Sequence, residues 1–293
     1  MQEIPLTAKF LADAARLRTG NRFHSEITAL ARHIGASWRE IMLANISYDL
    51  ALAYIGCSTM LVPTSDGPVL ARNMDWWPEE VLAQTSYLMR YYREGRLAFA
   101  NAGWPGSTGA VTGLSGRGFA IALNAVLSEE GPNRTGYPVL LHIRRVLEDA
   151  RDFEDAVERL SKITLAAPAL FSVVGTQNHQ RVVVERSPKR AAIRQEESGK
   201  VLIATNDYRL LFKPQTHEIT EIYQTTCNRF DVLTRLTQNH DPDAPTDDAT
   251  LLYLLSDPDV IQQITAQHVI MRPMTGDVRL FVPRRLLPSK GAP

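Results

Sequence analysis

The chain has 293 residues, 44% of them hydrophobic and 22% charged, enough apolar material for a substantial core in one domain, with or without an N-terminal extension. Lysine plus arginine and aspartate plus glutamate each number 32, so the formal net charge is zero, which argues against nucleic acid as the main partner because phosphate binding leaves a basic face. Two cysteines, Cys57 and Cys227, are too few for a disulfide scaffold, although one bond between them stays open, and no HExxH, HxxxH or Cys/His cluster points to a metal.

The opening Met1-Gln2-Glu3-Ile4-Pro5-Leu6 has no basic stretch leading into a long apolar core, and no run reaches 18 apolar residues; the expectation is a cytoplasmic protein. Residues 5–54 are expected to be mostly helical. Phe23, Ile27, Leu30, Ala31 and Ile34 fall at three- and four-residue spacings, a single apolar stripe that Gly35 ends. Ser37 with Glu40 reads as a reciprocal cap for a second helix through Trp38, Ile41, Met42 and Ile46.

Gly56 to Pro63 and Pro68 to Trp76 are two apolar runs around Thr64-Ser65-Asp66-Gly67, a β-hairpin whose Asp-Gly tolerates the left-handed backbone of a tight turn. The hairpin carries Arg72 and Asp75 back towards Cys57. A cation beside a thiol favours thiolate, and a carboxylate can orient the cation or an amine acting as base. By spacing alone, Arg72 and Asp75 are more commonly an ordinary surface ion pair, and the alternative for Cys57 is a buried strand residue.

Strands are expected at 86–92, 97–100 and 119–124, with a glycine-rich turn from Gly103 to Gly113 leading into another; that turn lacks both phosphate-loop patterns. Two helices fill 138–162, the second capped by Asp152 with Asp155. Strands follow at 167–174, 181–185 and 201–205, then a helix from Cys227, another over 246–256, and closing strands at 269–271 and 277–282.

Gly56-Cys57-Ser58-Thr59 followed by Ala71-Arg72-Asn73-Met74-Asp75-Trp76 resembles the nucleophile region of the acid ceramidase and N-acylethanolamine acid amidase family of cysteine N-terminal nucleophile hydrolases, which is related to the choloylglycine hydrolases. Ser58 and Thr59 reverse the usual order. Asn45 to Leu50, Gly175 to Asn178, Ala204 to Tyr208 and Cys227 to Phe230 resemble further family segments. The resemblance implies an α+β fold, the four-layer αββα sandwich, and self-cleavage between Gly56 and Cys57. Residues 1–56 would then be a small helical subunit and 57–293 the catalytic domain, a heterodimer from one precursor.

The implied reaction is hydrolysis of a linear carbon–nitrogen amide bond in a small-molecule N-acyl substrate, with no cofactor and no metal. In the roles carried over, Cys57 is the nucleophile and its freed α-amine the base. Asp75 holds that amine, and Arg72 and Arg229 fix Asp75 and lower the pKa of the thiol. Asn206 donates to the oxyanion, and Asn124 and Asn178 are further pocket candidates. Met74, Trp76 and Trp104, with Met60 and Trp77, can line an acyl groove, although each taken singly is more commonly core. Two alternatives stay open: an N-acyltransferase that draws its acyl group from coenzyme A or an amide, and an unprocessed, non-catalytic homologue.

Overall fold

The computed structural model describes residues 5–50, 52, 55–197 and 199–287. The N-terminal segment folds as α1 (Leu6–Arg18), α2 (His24–Ile34), α3 (Trp38–Asn45) and α4 (Ser47–Leu50), so residues 51, 53 and 54 of the expected helical stretch lie outside the described residues. Gly35 ends α2 at φ 69°, a conformation that costs glycine little, and Ser37 and Glu40 form the reciprocal cap of α3. Phe23, Ile27 and Ala31 pack with Ile41, Met42 and Ile46, and this cluster extends onto Tyr137 and Leu141 of the remaining chain.

Two antiparallel sheets follow. The five-stranded sheet has the order β10-β1-β2-β11-β12, built from β1 (Ile55–Val62), β2 (Val69–Trp76), β10 (Leu202–Ala204), β11 (Thr265–Arg272) and β12 (Asp277–Phe281). The seven-stranded sheet runs in sequence order through β3 (Tyr87–Arg93), β4 (Arg96–Gly103), β5 (Thr112–Ser115), β6 (Phe119–Asn124), β7 (Ala169–Val174), β8 (Arg181–Arg186) and β9 (Ala191–Arg194). Its outer face is covered by α6 (Val139–Asp149) and α7 (Phe153–Lys162), with Ile143, Leu147 and Leu160 on Phe119, Ile121 and Phe171. The outer face of the smaller sheet is covered by α9 (Thr226–Leu236) and α10 (Asp248–Leu255), where Leu233, Leu251 and Leu255 meet Met60, Val69 and Ala71. Between the sheets lie Leu61, Leu70, Ala120, Ala122, Leu170 and Val269. Helix, sheet, sheet, helix is the four-layer sandwich, in which each sheet buries one face on the other and one on helices.

Some elements carry no clear signal in the sequence. These are α5 (Glu79–Gln84), α8 (Glu221–Gln224), the edge strand β9, and the first four residues of β11, placed four residues earlier than the apolar run from Val269 suggests.

The N-terminal helices are tied to the rest by polar contacts as well as apolar ones. Arg22 pairs with Asp149 at 2.6 Å and Glu148 at 2.7 Å, and Glu26 pairs with Arg144 at 3.3 Å. The buried Asn45 side chain accepts from the Thr108 and Gly109 N–H groups at 2.6 and 2.9 Å and donates to the Ile41 and Gly106 carbonyls. Asp49 Oδ1 accepts from the Val139 N–H, the first of α6, and Tyr48 donates to the Pro168 carbonyl.

Asn45→Ala would leave two buried backbone N–H groups unpartnered, and chemical denaturation should show a loss of about 3 kcal/mol. Burial raises the Asp49 carboxyl to about 7. The folded chain therefore holds a proton there that the unfolded chain releases above its ordinary value of 3.8, so this contribution to stability is full below 3.8, declines as pH rises above it and is lost through about 7. Asp49→Asn should flatten that part of the pH–stability curve, with the variant gaining on the parent above pH 7 by thermal unfolding.

Candidate active site

The hairpin of β1 and β2 sets the frame. Thr64 Oγ1 accepts from the Asp66 N–H and donates to the Gly67 carbonyl, and Gly67 takes φ 92°, which closes the turn in one register. That register places Cys57 opposite Met74, Thr59 opposite Arg72 and Gly56 opposite Asp75. Because strand side chains alternate, Cys57, Thr59, Arg72 and Met74 face the seven-stranded sheet, while Gly56, Ser58, Asn73 and Asp75 face the helices.

On the first face the Cys57 thiol is fully buried. Arg72 Nη2 donates to Sγ and to Met74 Sδ, Nη1 donates to Thr112 Oγ1 at 2.7 Å, and Sγ lies 3.3 Å from the Leu123 carbonyl. Burial pushes the thiol pKa up, and the charge of Arg72 is the largest effect opposing it. On the second face Asp75 is also fully buried. Its Oδ1 accepts from Thr265 Oγ1 at 2.6 Å, and its Oδ2 has no partner among the described residues. Burial raises the Asp75 carboxyl, opposed first by the charge of Arg229 and then by the Thr265 hydroxyl.

The expectation that Arg72 fixes Asp75 is corrected here. Residues three apart in a strand point to opposite faces, so Arg72 serves the thiol and makes no ion pair with Asp75 among the described residues. Arg229, also fully buried, is the cation on the carboxylate side. Its Nη1 donates to the Cys57 carbonyl at 2.8 Å and Ser58 Oγ at 2.9 Å, and its Nη2 donates to Asn206 Oδ1 at 2.8 Å and the Ile222 carbonyl at 2.6 Å.

Asn206 meets the backbone of Cys57 directly, accepting its N–H at 3.1 Å through Oδ1, while Nδ2 donates to the Ala125 carbonyl at 2.7 Å. The register of β10 explains the placement. Ala204 pairs with Thr59, so a strand continued by two residues would set residue 206 against Cys57. The strand stops at Ala204, and the side chains of Asn206 and Arg229 take over the polar groups that a neighbouring backbone would have met. Thr226 Oγ1 accepts the Asn206 N–H and lies within hydrogen-bond distance of Asp207 and Thr205, holding the loop after β10.

The remaining candidates divide. Asn124 accepts from Thr59 Oγ1 at 2.7 Å and donates to the Ala204 and Thr205 carbonyls, joining β6 to β1 and β10. Asn178 is bonded to both backbone groups of Thr64, beyond the end of β1 remote from Cys57, where it clamps the turn. Met74 Sδ lies 4.0 Å from the thiol. Trp76 and Trp104 meet edge to face at 5.5 Å in the apolar cluster that contains Cys57 and Met74. Trp77, 64% exposed, borders a groove of about 460 Å³ with Ile222 and Ile264, and Met60 packs under α9 and α10.

Three residues at the site carry no motif. Thr265 lies 190 positions from Asp75, Thr112 binds Arg72, and Ile222 in α8 closes over the bond preceding Cys57. A Cβ on Gly56 would stand 2.5 Å from Ile222 Cγ2, so only glycine fits beneath that side chain. Among the described residues no group of three or more His, Cys, Asp and Glu side chains is arranged to hold a metal ion. None of the helices among the described residues is long and apolar enough to cross a membrane.

The family described as acyl-coenzyme A:6-aminopenicillanic acid acyl-transferase matches residues 62–267, a span that contains Arg72, Asp75, Asn206, Arg229 and Thr265 and begins after Cys57. An N-acylethanolamine-hydrolyzing acid amidase of Caenorhabditis elegans is 26% identical over 182 residues, 57% of this chain and 51% of that protein. An acid ceramidase of Balaenoptera acutorostrata scammoni is 26% identical over 188 residues, 56% of this chain and 47% of its own length. The chain thus aligns with about half the length of these curated relatives. Among solved structures, the Caenorhabditis elegans N-acylethanolamine-hydrolyzing acid amidase ortholog superposes with TM-score 0.61 at 20% identity, over 74% of this chain and 93% of that one. A point mutant of conjugated bile acid hydrolase from Clostridium perfringens gives 0.51 at 13% identity, over 78% of this chain and 93% of that one. These likenesses show the fold.

The geometry of the intact chain makes a labelling prediction. Iodoacetamide should modify the part-exposed Cys227 and leave Cys57 untouched until the chain before it is cut or unfolded, as read by peptide mass mapping. Rapid labelling of Cys57 in the uncut native chain would contradict the packing of Ile222 and β1.

Proposed function

The chain belongs to the acyl-coenzyme A:6-aminopenicillanic acid acyl-transferase family, and we propose that within it this protein hydrolyses a linear amide through Cys57 after cutting its own chain before that residue. The observation that carries the reading is the buried Asp75 carboxylate. It sits opposite Gly56 with one oxygen held by Thr265 and the other unpartnered among the described residues, beside the bond whose cleavage would create an amine. An α-ammonium or α-amine at Cys57 supplies the donor that this oxygen lacks.

Self-cleavage proceeds by attack of Cys57 Sγ on the Gly56 carbonyl. The S–C bond forms, the C–N bond breaks, and the nitrogen leaves as the α-amine of Cys57; water then releases Gly56 as a carboxylate and restores the thiol. Residues 1–56 stay bound as a small subunit, through the Arg22 and Glu26 ion pairs and the Asn45 contacts. In turnover the α-amine, with an ordinary pKa near ~7.7 to 8, takes the thiol proton as Sγ attacks the substrate carbonyl. The negative oxygen is stabilised by Asn206, an amide donor of a kind worth roughly 3 kcal/mol in such a transition state. As the C–N bond breaks, the ammonium returns its proton to the leaving amine. Water then attacks the thioester, giving up a proton to the α-amine, and the carboxylic acid departs as Sγ recovers its proton.

The substrate class is an N-acyl amide, by similarity to the amidase and ceramidase relatives. Trp76, Trp104 and Met74 on the thiol side, and Trp77 with Ile222 beyond Gly56, supply apolar surface for the acyl group. A second reading follows from the family description: the thioester is passed to a second amine instead of water. Supplying an acyl amide together with a second amine separates the two, because transfer yields an exchanged amide faster than free acid.

The wild-type chain should resolve by mass into two fragments meeting at Gly56 and Cys57 and should release free acid from an acyl amide, whereas Cys57→Ala should remain one inactive chain. A wild type that stays uncut and inactive removes the proposal. In the cut enzyme, Asp75→Asn should slow acylation by an amide at least ~10²-fold while sparing an activated ester of the same acid, since only the poor amine leaving group needs the positioned proton.

A further inference from the structure

We infer that Thr265 is a positioning residue for the proposed reaction: its hydroxyl locks one oxygen of Asp75 so that the other faces the α-amine of Cys57. The inference rests on the amidase reading above and adds to it a residue that lies in none of the motifs.

The direction of the hydrogen bonds is fixed by their partners. Thr265 Oγ1 lies 3.0 Å from the Gln262 N–H, which can only donate, so the oxygen accepts there. Its single proton is then directed to Asp75 Oδ1 at 2.6 Å. A donated hydroxyl favours the ionised carboxylate in a site where burial opposes it. With Oδ1 held, Oδ2 has no partner among the described residues and is closed to solvent. A carboxylate free to rotate about its Cβ–Cγ bond would share the amine between two oxygens and several angles; one pinned by a neighbour presents a single acceptor.

The backbone is shaped for the contact. The pairing of β11 with β2 slips between Thr265 and Gln267, an irregularity that aligns Thr265 with Asp75 while Gln267 pairs with Met74. Such bulges re-aim side chains. Arg285 secures the segment from the other side by donating to the Gln263 carbonyl at 2.6 Å, and the Trp76 N–H donates to the Ile264 carbonyl at 3.1 Å. Thr265 is fully buried, and in the position it takes its hydroxyl meets both partners at once.

The test compares wild type, Thr265→Val, Thr265→Ala and Thr265→Ser as full-length chains that process themselves, with the cut fraction counted by mass. Single-turnover acylation is followed with a dodecanoyl alkylamide and with the 4-nitrophenyl ester of the same acid. Thr265→Val and Thr265→Ala should slow the amide at least ~10-fold with unchanged half-saturation, hold the ester within about twofold, and Thr265→Ser should restore the amide to within about threefold of wild type. Equal loss on both substrates, no loss in Thr265→Val, or a Thr265→Ser chain as slow as Thr265→Val would overturn the inference. If the valine and alanine chains do not fold, Thr265→Ser decides alone, because retained amide turnover supports the hydroxyl and its loss rejects it. A wild type that neither cuts itself nor consumes the amide removes the amidase reading and this inference with it; an active wild type with an unimpaired Thr265→Val removes this inference only.

Discussion

Arg229 is the interaction on which the site depends. Its guanidinium is buried completely and donates to five separate groups on β1, α8, the residue joining α8 to α9 and the loop after β10: the Cys57 and Ile222 carbonyls, Ser58 Oγ, Asn206 Oδ1 and Thr225 Oγ1. Burying an ion costs several kcal/mol unless its hydrogen bonds are met and a counter-charge lies near. The bonds are met by the fold, and the compensating charge is chiefly Asp75, whose attraction is the largest effect opposing the fall of the Arg229 pKa on burial. The geometry of β1 at Cys57 and the charge of Asp75 are thus coupled through one side chain.

The same accounting extends to Arg72. Two buried guanidinium groups, Arg72 and Arg229, flank one buried carboxylate, and neither makes an ion pair within the described residues. The formal charges around Cys57 therefore count one positive in excess, which opposes the upward push of burial on the thiol. A thiolate, or the negative oxygen of a tetrahedral intermediate, relieves that excess, while a neutral amide does not. Electrostatic preorganisation of this kind selects for the charge that develops during reaction.

How much of this is legible in the sequence follows from where each partner lies. The hairpin is, because its Asp-Gly turn and the alternation of two adjacent runs are local, and so is the cap of α3 by Ser37 and Glu40. The position of Arg72 relative to Asp75 is easily misread, since a separation of three brings residues together on a helix and apart on a strand. The start of β11 is hidden for a different reason. Thr265, Gln267 and His268 are polar and break the apolar pattern, yet all are buried, because each finds a partner far away in sequence: Asp75, Ser86 and Asn73. Asn178 is drawn into the site by its motif, and the structure sets it at the turn.

The early end of β10 has a consequence for how the sheet can be used. Where two strands lie side by side, a ligand can enter only by breaking a ladder of cooperative backbone bonds. At Cys57 that ladder has already been replaced by two detachable hands, one amide and one guanidinium, each anchored on its own element. Arg229 can release the Cys57 carbonyl and donate to another, and Asn206 can release the Cys57 N–H and accept from another donor, without unzipping β1 from β2. The protein thereby keeps a rigid sheet and an exchangeable partner at the same residue, a docking berth cut into the edge of a wall.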